Sequence, residues 1–152
     1  MSKLKAEVIK YSKKLNATNL SALRSGNISV RTNEKGVEGF YITPSGRKYS
    51  SLKSKDIVFV SLKGIYDKKK AKPSSEWRFH QDIYVNKKKA KAIVHAHSTC
   101  ATAVSTHQKC IPAFHYMVAV AGGEDIKCSK YCLLYTSPSP RDAHESRMPS
   151  SA

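Results

Sequence analysis

Leu4, Val8, Tyr11 and Leu15 fall at i, i+4, i+7 and i+11, one face of a 3.6-residue period, and predict that the chain opens with a helix. From Gly26 onward the pattern shortens. Residues 28–31 alternate as a strand should, and 40–43 and 57–61 are further strand candidates. Thr43-Pro44-Ser45-Gly46 separates the last two as a turn, in which proline sets one φ and glycine frees another. Pro73 is expected to begin a second helix, capped by Ser74 or Ser75, with Trp77, Ile83 and Tyr84 as apolar contacts. Residues 92–98 predict another strand. Ser98 or Thr99 can cap a short helix to about Ser105, and 115–121 predict a last helix stopped at Gly122-Gly123. Helices alternating with strands point to α/β layers.

The pattern breaks after Cys132. The closing stretch, LLYTSPSPRDAHESRMPSSA, holds three of the six prolines and no periodic apolar face. This divides the chain into a domain over 1–132 and a tail over 133–152, disordered by composition or non-native in origin. At 152 residues, 40% apolar and 25% charged, the chain suits one globular domain. No apolar run approaches the ~20 residues that span a bilayer. The start, MSKLKAEVIKYSKK, has no apolar core of a secretory signal, so a cytoplasmic location and four reduced cysteines are expected.

Charge changes the picture less than its size suggests. Lys and Arg number 27 against 11 Asp and Glu, a net of +16. Much of the excess is lysine, with KKKAK at both 68–72 and 87–91, and no aromatics interleave as a single-strand binder requires. Solvated lysines beside strands are the simpler reading than a nucleic-acid patch. They would also steer anionic metabolites toward the protein.

The sharpest chemical signal is His95-Ala96-His97. Strand alternation points both imidazoles to one face, ~7 Å apart along the backbone, and two such rings can share a zinc at ~2.0–2.1 Å. Alone, such a pair is a weak pattern. Support comes from Ser74-Ser75-Glu76 at a helix start, where free N–H groups and the helix dipole favour an anion. His80 follows Glu76 by one turn on the same face. It either orients that carboxylate or is a half-buried ring satisfied by backbone, the second being the simpler reading. Gly26-Asn27-Ile28-Ser29 and Thr43-Pro44-Ser45-Gly46 are further features able to approach an anion closely, their Asn and Ser side chains adding neutral donors. Sequence does not show whether these turns meet. Cys100 and Cys110 read as small packing residues, and the Cys128/Cys132 spacing matches no redox or zinc motif.

In order, SGNISVR, ITPSG, PSSEWRFHQDIY, IVHAHS and IPAFHYMVAVAGG resemble the class II aldolase/adducin family from about Lys5 to Tyr131. The resemblance implies a three-layer α/β/α domain around a mainly antiparallel sheet. It implies a zinc or other divalent metal held by His95 and His97, with Glu76 touching the metal and then serving as base. Phosphate would be held at Asn27, Ser45, Gly46, Ser74 and Ser75. Tyr116 would donate a proton from a neighbouring subunit of a homotetramer. The implied reaction is cleavage of a ketose 1-phosphate, of the L-fuculose 1-phosphate type, to dihydroxyacetone phosphate and an aldehyde.

The chain departs from the family in one respect. The family's third zinc His comes from a downstream His-His-Gly segment, and no such string occurs in these 152 residues. His144, in the tail, has no element to fix it. Three protein ligands are usual for a catalytic zinc, so Glu76 would be drawn into binding and less free as base. The chain therefore reads as the first, larger part of an aldolase, with impaired activity. The alternatives are a sugar-phosphate epimerase or methylthioribulose-phosphate dehydratase of the same family, or a non-catalytic adducin-like binding protein. No specific nucleic-acid or membrane partner is expected.

Overall fold

The computed structural model describes residues 2–21, 25–120 and 124–128; the expected tail over 133–152 lies outside them, as do Ala121 and the glycine stop after it. Two compact units divide the chain at Thr99 and Cys100.

In the first unit, α1 (Lys3–Ala17) precedes β1 (Asn27–Glu34), β2 (Val37–Ile42), β3 (Val58–Ser61), α2 (Trp77–Asn86) and β4 (Ala92–His95). The strands form one sheet in the order β3-β2-β1-β4, and every pairing is antiparallel. Lys35 and Gly36 both take positive φ at the β1–β2 hairpin, the geometry whose twist matches that of paired strands. Alternation along the strands then sorts the core into two faces. Ile28 and Tyr41 face Val8 and Leu15 of α1, whereas Phe40, Ile42, Val58 and Val60 face Tyr84 of α2. Helix, sheet and helix are thus stacked in three layers, the arrangement expected.

The first helix buries a slightly different stripe from the predicted one. Val8, Ser12 and Leu15 face the sheet, while Tyr11 is 49% exposed. Ser12 is tolerated because its hydroxyl donates to the Val8 carbonyl at 2.6 Å, one turn back.

The second helix also differs. Pro73 does not begin it: Pro73 pairs with Pro44 in an antiparallel bridge, and the helix starts at Trp77 with Glu76 as its N-cap and no side-chain cap bond. Ser74 instead accepts weakly from the Glu76 backbone N–H at 3.4 Å. The bridge holds Pro73 extended, so the first helical turn forms only past the serines. Trp77, His80 and Tyr84 then follow at i, i+3 and i+7 and turn inward. At its far end the helix is closed by Arg31, which donates to the carbonyls of Tyr84, Lys87 and Ala90 and stacks over the Tyr84 ring at 4.8 Å.

The second unit contains α3 (Thr99–Thr106, whose first residue closes the first unit) and α4 (Tyr116–Val120), with Ile111 and Ile126 bridged antiparallel between them and the end of the described chain. Cys100 and Cys110 are exposed here, not packed inside as their type suggested; α3 is too short and too evenly small-sided to bury any residue. Among the described residues no helix is long and apolar enough to cross a membrane.

Candidate metal centre

Register builds the site. Because β1 pairs with β4, Asn27 lies opposite His95 and Ser29 opposite Ile93, so the end of β4 is delivered to the edge where β1 begins. Beyond β4 the chain remains extended, and His97 bridges Ser21, whose hydroxyl accepts from the His97 backbone N–H at 3.0 Å. Both imidazoles therefore face the same way, with their Nε2 atoms 2.7 Å apart. The layer above supplies Glu76 at the start of α2, its Oε2 3.7 Å from His95 Nε2. Nitrogen, nitrogen and carboxylate oxygen lie within 4.8 Å of one another. Ligands ~2 Å from one ion lie within ~4 Å of one another, so a small closure of these three side chains would let them hold a divalent metal.

The turns whose meeting sequence could not show do meet. Pro44 and Pro73 carry no N–H, and the bridge between them is made by their neighbours. Ser45 N–H donates to Lys72 O at 2.9 Å, and Ser74 N–H donates to Thr43 O at 3.0 Å. Thr43 is tied in turn to β1, its N–H donating to Ile28 O at 3.1 Å and its hydroxyl accepting from Ile28 N–H at 3.3 Å. Asn27, Ser45, Gly46, Ser74 and Ser75 thus belong to three segments stitched together beside Glu76. Gly46 takes φ +71°, open on its Cβ side. Tyr116 stands on α4 of the second unit, 72% exposed, with the His115 ring 4.4 Å from its own.

Residues named in the sequence take unexpected partners here, and Tyr49 joins them without any sequence signal. His80 is wholly buried, and side chains rather than backbone satisfy it: Ser29 Oγ lies 2.7 Å from Nδ1, and Asn27 Oδ1 contacts Nε2 closely. Asn27 in turn donates to Glu76 Oε2 at 2.5 Å. Tyr84 joins through Ser29 at 2.8 Å. Tyr49 donates to the Gly26 carbonyl at 2.5 Å; burial, with the nearby Glu76 charge, pushes its hydroxyl up to about 12. Ser29, two residues after Asn27 on the same strand face and expected as an anion donor, is instead buried against His80 and Tyr84.

Burial sets the protonation of the rings. Desolvation, helped by neighbouring His95, drives His80 down to about 3, so it is neutral at any ordinary pH. The same effect lowers His95, opposed by Glu76 and reinforced by His97. A neutral imidazole is the form that binds a metal.

The fold is a three-layer α/β/α domain that carries a candidate metal site of Glu76, His95 and His97, and comparison with known proteins places the chain further. Residues 6–144 match the family described as Class II Aldolase and Adducin N-terminal domain, and the chain belongs to that family. It is 39% identical over 135 residues to L-fuculose phosphate aldolase of Escherichia coli K12, covering 89% of this chain and 60% of that protein. It is equally 39% identical over 140 residues to 5-methylthioribulose-1-phosphate/5-deoxyribulose-1-phosphate aldolase of Rhodospirillum rubrum, covering 92% and 61%. Among solved structures, an L-fuculose 1-phosphate aldolase superposes with a TM-score of 0.75 at 38% identity, over 84% of this chain and 58% of that one. The enzyme of that name from Thermus thermophilus gives 0.63 at 31% identity, over 75% and 56%. The chain spans about 60% of the length of the curated relatives it matches.

Proposed function

We propose that this chain is the metal- and phosphate-binding part of an aldehyde-lyase that cleaves a deoxyketose 1-phosphate to dihydroxyacetone phosphate and an aldehyde. The observation carrying this reading is the convergence of Glu76, His95 and His97 beside three stitched turns rich in hydroxyls and free to approach an anion. A divalent metal, zinc by the chemistry of its donors, supplies Lewis-acid polarisation of the substrate carbonyl when bound. The chain's own residues do the rest. Ser45, Gly46, Ser74 and Ser75 hold the phosphate, so binding energy gained there is used at the reacting carbons, while the buried Asn27 amide is committed to His80 and Glu76. Glu76 moves the proton at the carbon that becomes nucleophilic. Tyr116, from a neighbouring subunit of a homotetramer, donates to the departing aldehyde oxygen. The surroundings are cytoplasmic.

The equal identities to fuculose-phosphate and 5-deoxyribulose-phosphate aldolases support a substrate whose far carbon is a methyl or similar apolar group, without choosing between them. The test is dihydroxyacetone phosphate release by the zinc-loaded chain from L-fuculose 1-phosphate and from 5-deoxyribulose 1-phosphate. Cleavage that a chelator abolishes, weak for want of a third imidazole, and a fall of ~10²-fold or more in Glu76→Gln are expected. Zinc binding with neither cleavage nor any effect of Glu76→Gln overturns the lyase. Epimerised or dehydrated product in the same assay would move the chain to those activities. Retention of acidic partners without zinc would favour the adducin-like binding role.

A further inference from the structure

We propose that His80 is the positioning residue of Glu76, through a one-way chain of hydrogen bonds that runs from Tyr84 to Ser29, His80 and Asn27 and ends on the carboxylate. Each proton in that chain is fixed by the chemistry of its neighbour. A carboxylate only accepts, so the Asn27 group facing Glu76 Oε2 at 2.5 Å is its NH2. The Asn27 carbonyl oxygen therefore faces His80, and His80 Nε2 carries the hydrogen donated to it. A neutral imidazole has one N–H, which leaves Nδ1 as an acceptor for the Ser29 hydroxyl at 2.7 Å. Ser29 has its only proton engaged there, so the hydroxyl of Tyr84, 2.8 Å away, donates to Ser29. No link can reverse without setting two lone pairs or two hydrogens against each other.

Burial gives this direction its force. Tyr84, Ser29, His80 and Asn27 expose at most 1% of their surface, so water cannot repair a broken link. The links from His80 through Asn27 to Glu76 hold whichever state the ring is in; the direction of the Ser29 and Tyr84 links follows from the neutral ring that burial favours. Without the His80 donor, the Asn27 amide has nothing to hold its oxygen away from Glu76 and can turn it toward the carboxylate. Hydrogen-bonding partners behind metal ligands commonly tune affinity in this way, by ~10–100-fold. The part Glu76 plays toward a metal comes from the proposed function; the hydrogen-bond direction does not.

Two measurements test the proposal. In long-range 1H–15N spectra of the metal-free chain at pH 7, His80 is expected as the Nε2–H tautomer; the Nδ1–H tautomer overturns the chain of donors. In competition with a chelating dye, His80→Phe should weaken zinc binding by ~10–100-fold, whereas His80→Gln, which keeps an N–H for Asn27, should stay within about threefold. Equal affinity in folded His80→Phe overturns the positioning role. If His80→Phe does not fold, the tautomer and His80→Gln decide, and a loss in His80→Gln as large as that of Glu76→Gln overturns it. A chain with the expected tautomer and affinities that cleaves no ketose phosphate retains this inference and loses the lyase reading.

Discussion

Asn27 and Glu76, 49 positions apart in sequence, are joined by a 2.5 Å hydrogen bond from amide to carboxylate. The bond links the first residue of a central strand to the cap of the helix lying over it, and it makes a neutral donor the immediate neighbour of the proposed base. Asn27→Asp keeps the shape and removes the donor. It sets a buried carboxylate against the partly exposed Glu76, and the expected cost is about 2–3 kcal/mol at pH 7, shrinking on acidification. Urea unfolding at pH 7 and pH 5 reads both the size and the pH trend.

Stability should also follow His80. Its pKa is about 3 in the folded chain against 6.5 for the free side chain, so below pH 6.5 the unfolded chain binds the extra proton. Stability is fully present above that value and is lost as pH falls toward 3, with a slope approaching ~1.4 kcal/mol per pH unit. Denaturant midpoints measured between pH 7.5 and pH 5 should decline accordingly, and less steeply in His80→Gln. A flat profile in the unaltered chain would show that the ring is not buried neutral.

Gly26 carries the close approach between α1, β1 and β4. It has φ +77°, and a Cβ there would lie 2.6 Å from both the His95 carbonyl oxygen and Ser21 Oγ. Gly26→Ala is expected to cost about 2–4 kcal/mol. Because those atoms set the paths of His95 and His97, zinc affinity should fall with it. Thermal unfolding and dye competition on the same preparation separate the two effects.

Arg31 closes the C-terminus of α2 with three carbonyl bonds and a ring stack. Arg31→Met should lose roughly 1–3 kcal/mol. Arg31→Lys should recover little of it, since an ammonium has no planar fork to span Ala90 and Tyr84. Hydrogen exchange of the last turn of α2 would accelerate in both variants.

Much of this was legible in the chain because it is local. The apolar stripe of α1, the alternation of β1 and β2 and the shared face of His95 and His97 each follow from a period of 3.6 or 2. The resemblance supplied the layer order and the family, both of which hold. What was hidden depends on partners distant in sequence. Nothing near Pro73 announces Pro44, yet their bridge moves the start of α2 to Trp77. Nothing near His80 announces that Ser29 and Asn27 will enclose it, since strand β1 meets helix α2 only after the sheet has formed. Ser12 replaced Tyr11 on the buried stripe because a hydroxyl that can bond one turn back does not behave as polar.

The paired prolines have a kinetic consequence. Their flanking amides, Ser45 and Ser74, are already spoken for by Lys72 and Thr43, so these two loops hold their form with no guest present. A small anion arriving at the serines meets a finished mould. Its capture should be a single bimolecular event, with a stopped-flow rate that climbs linearly with concentration and reaches no plateau.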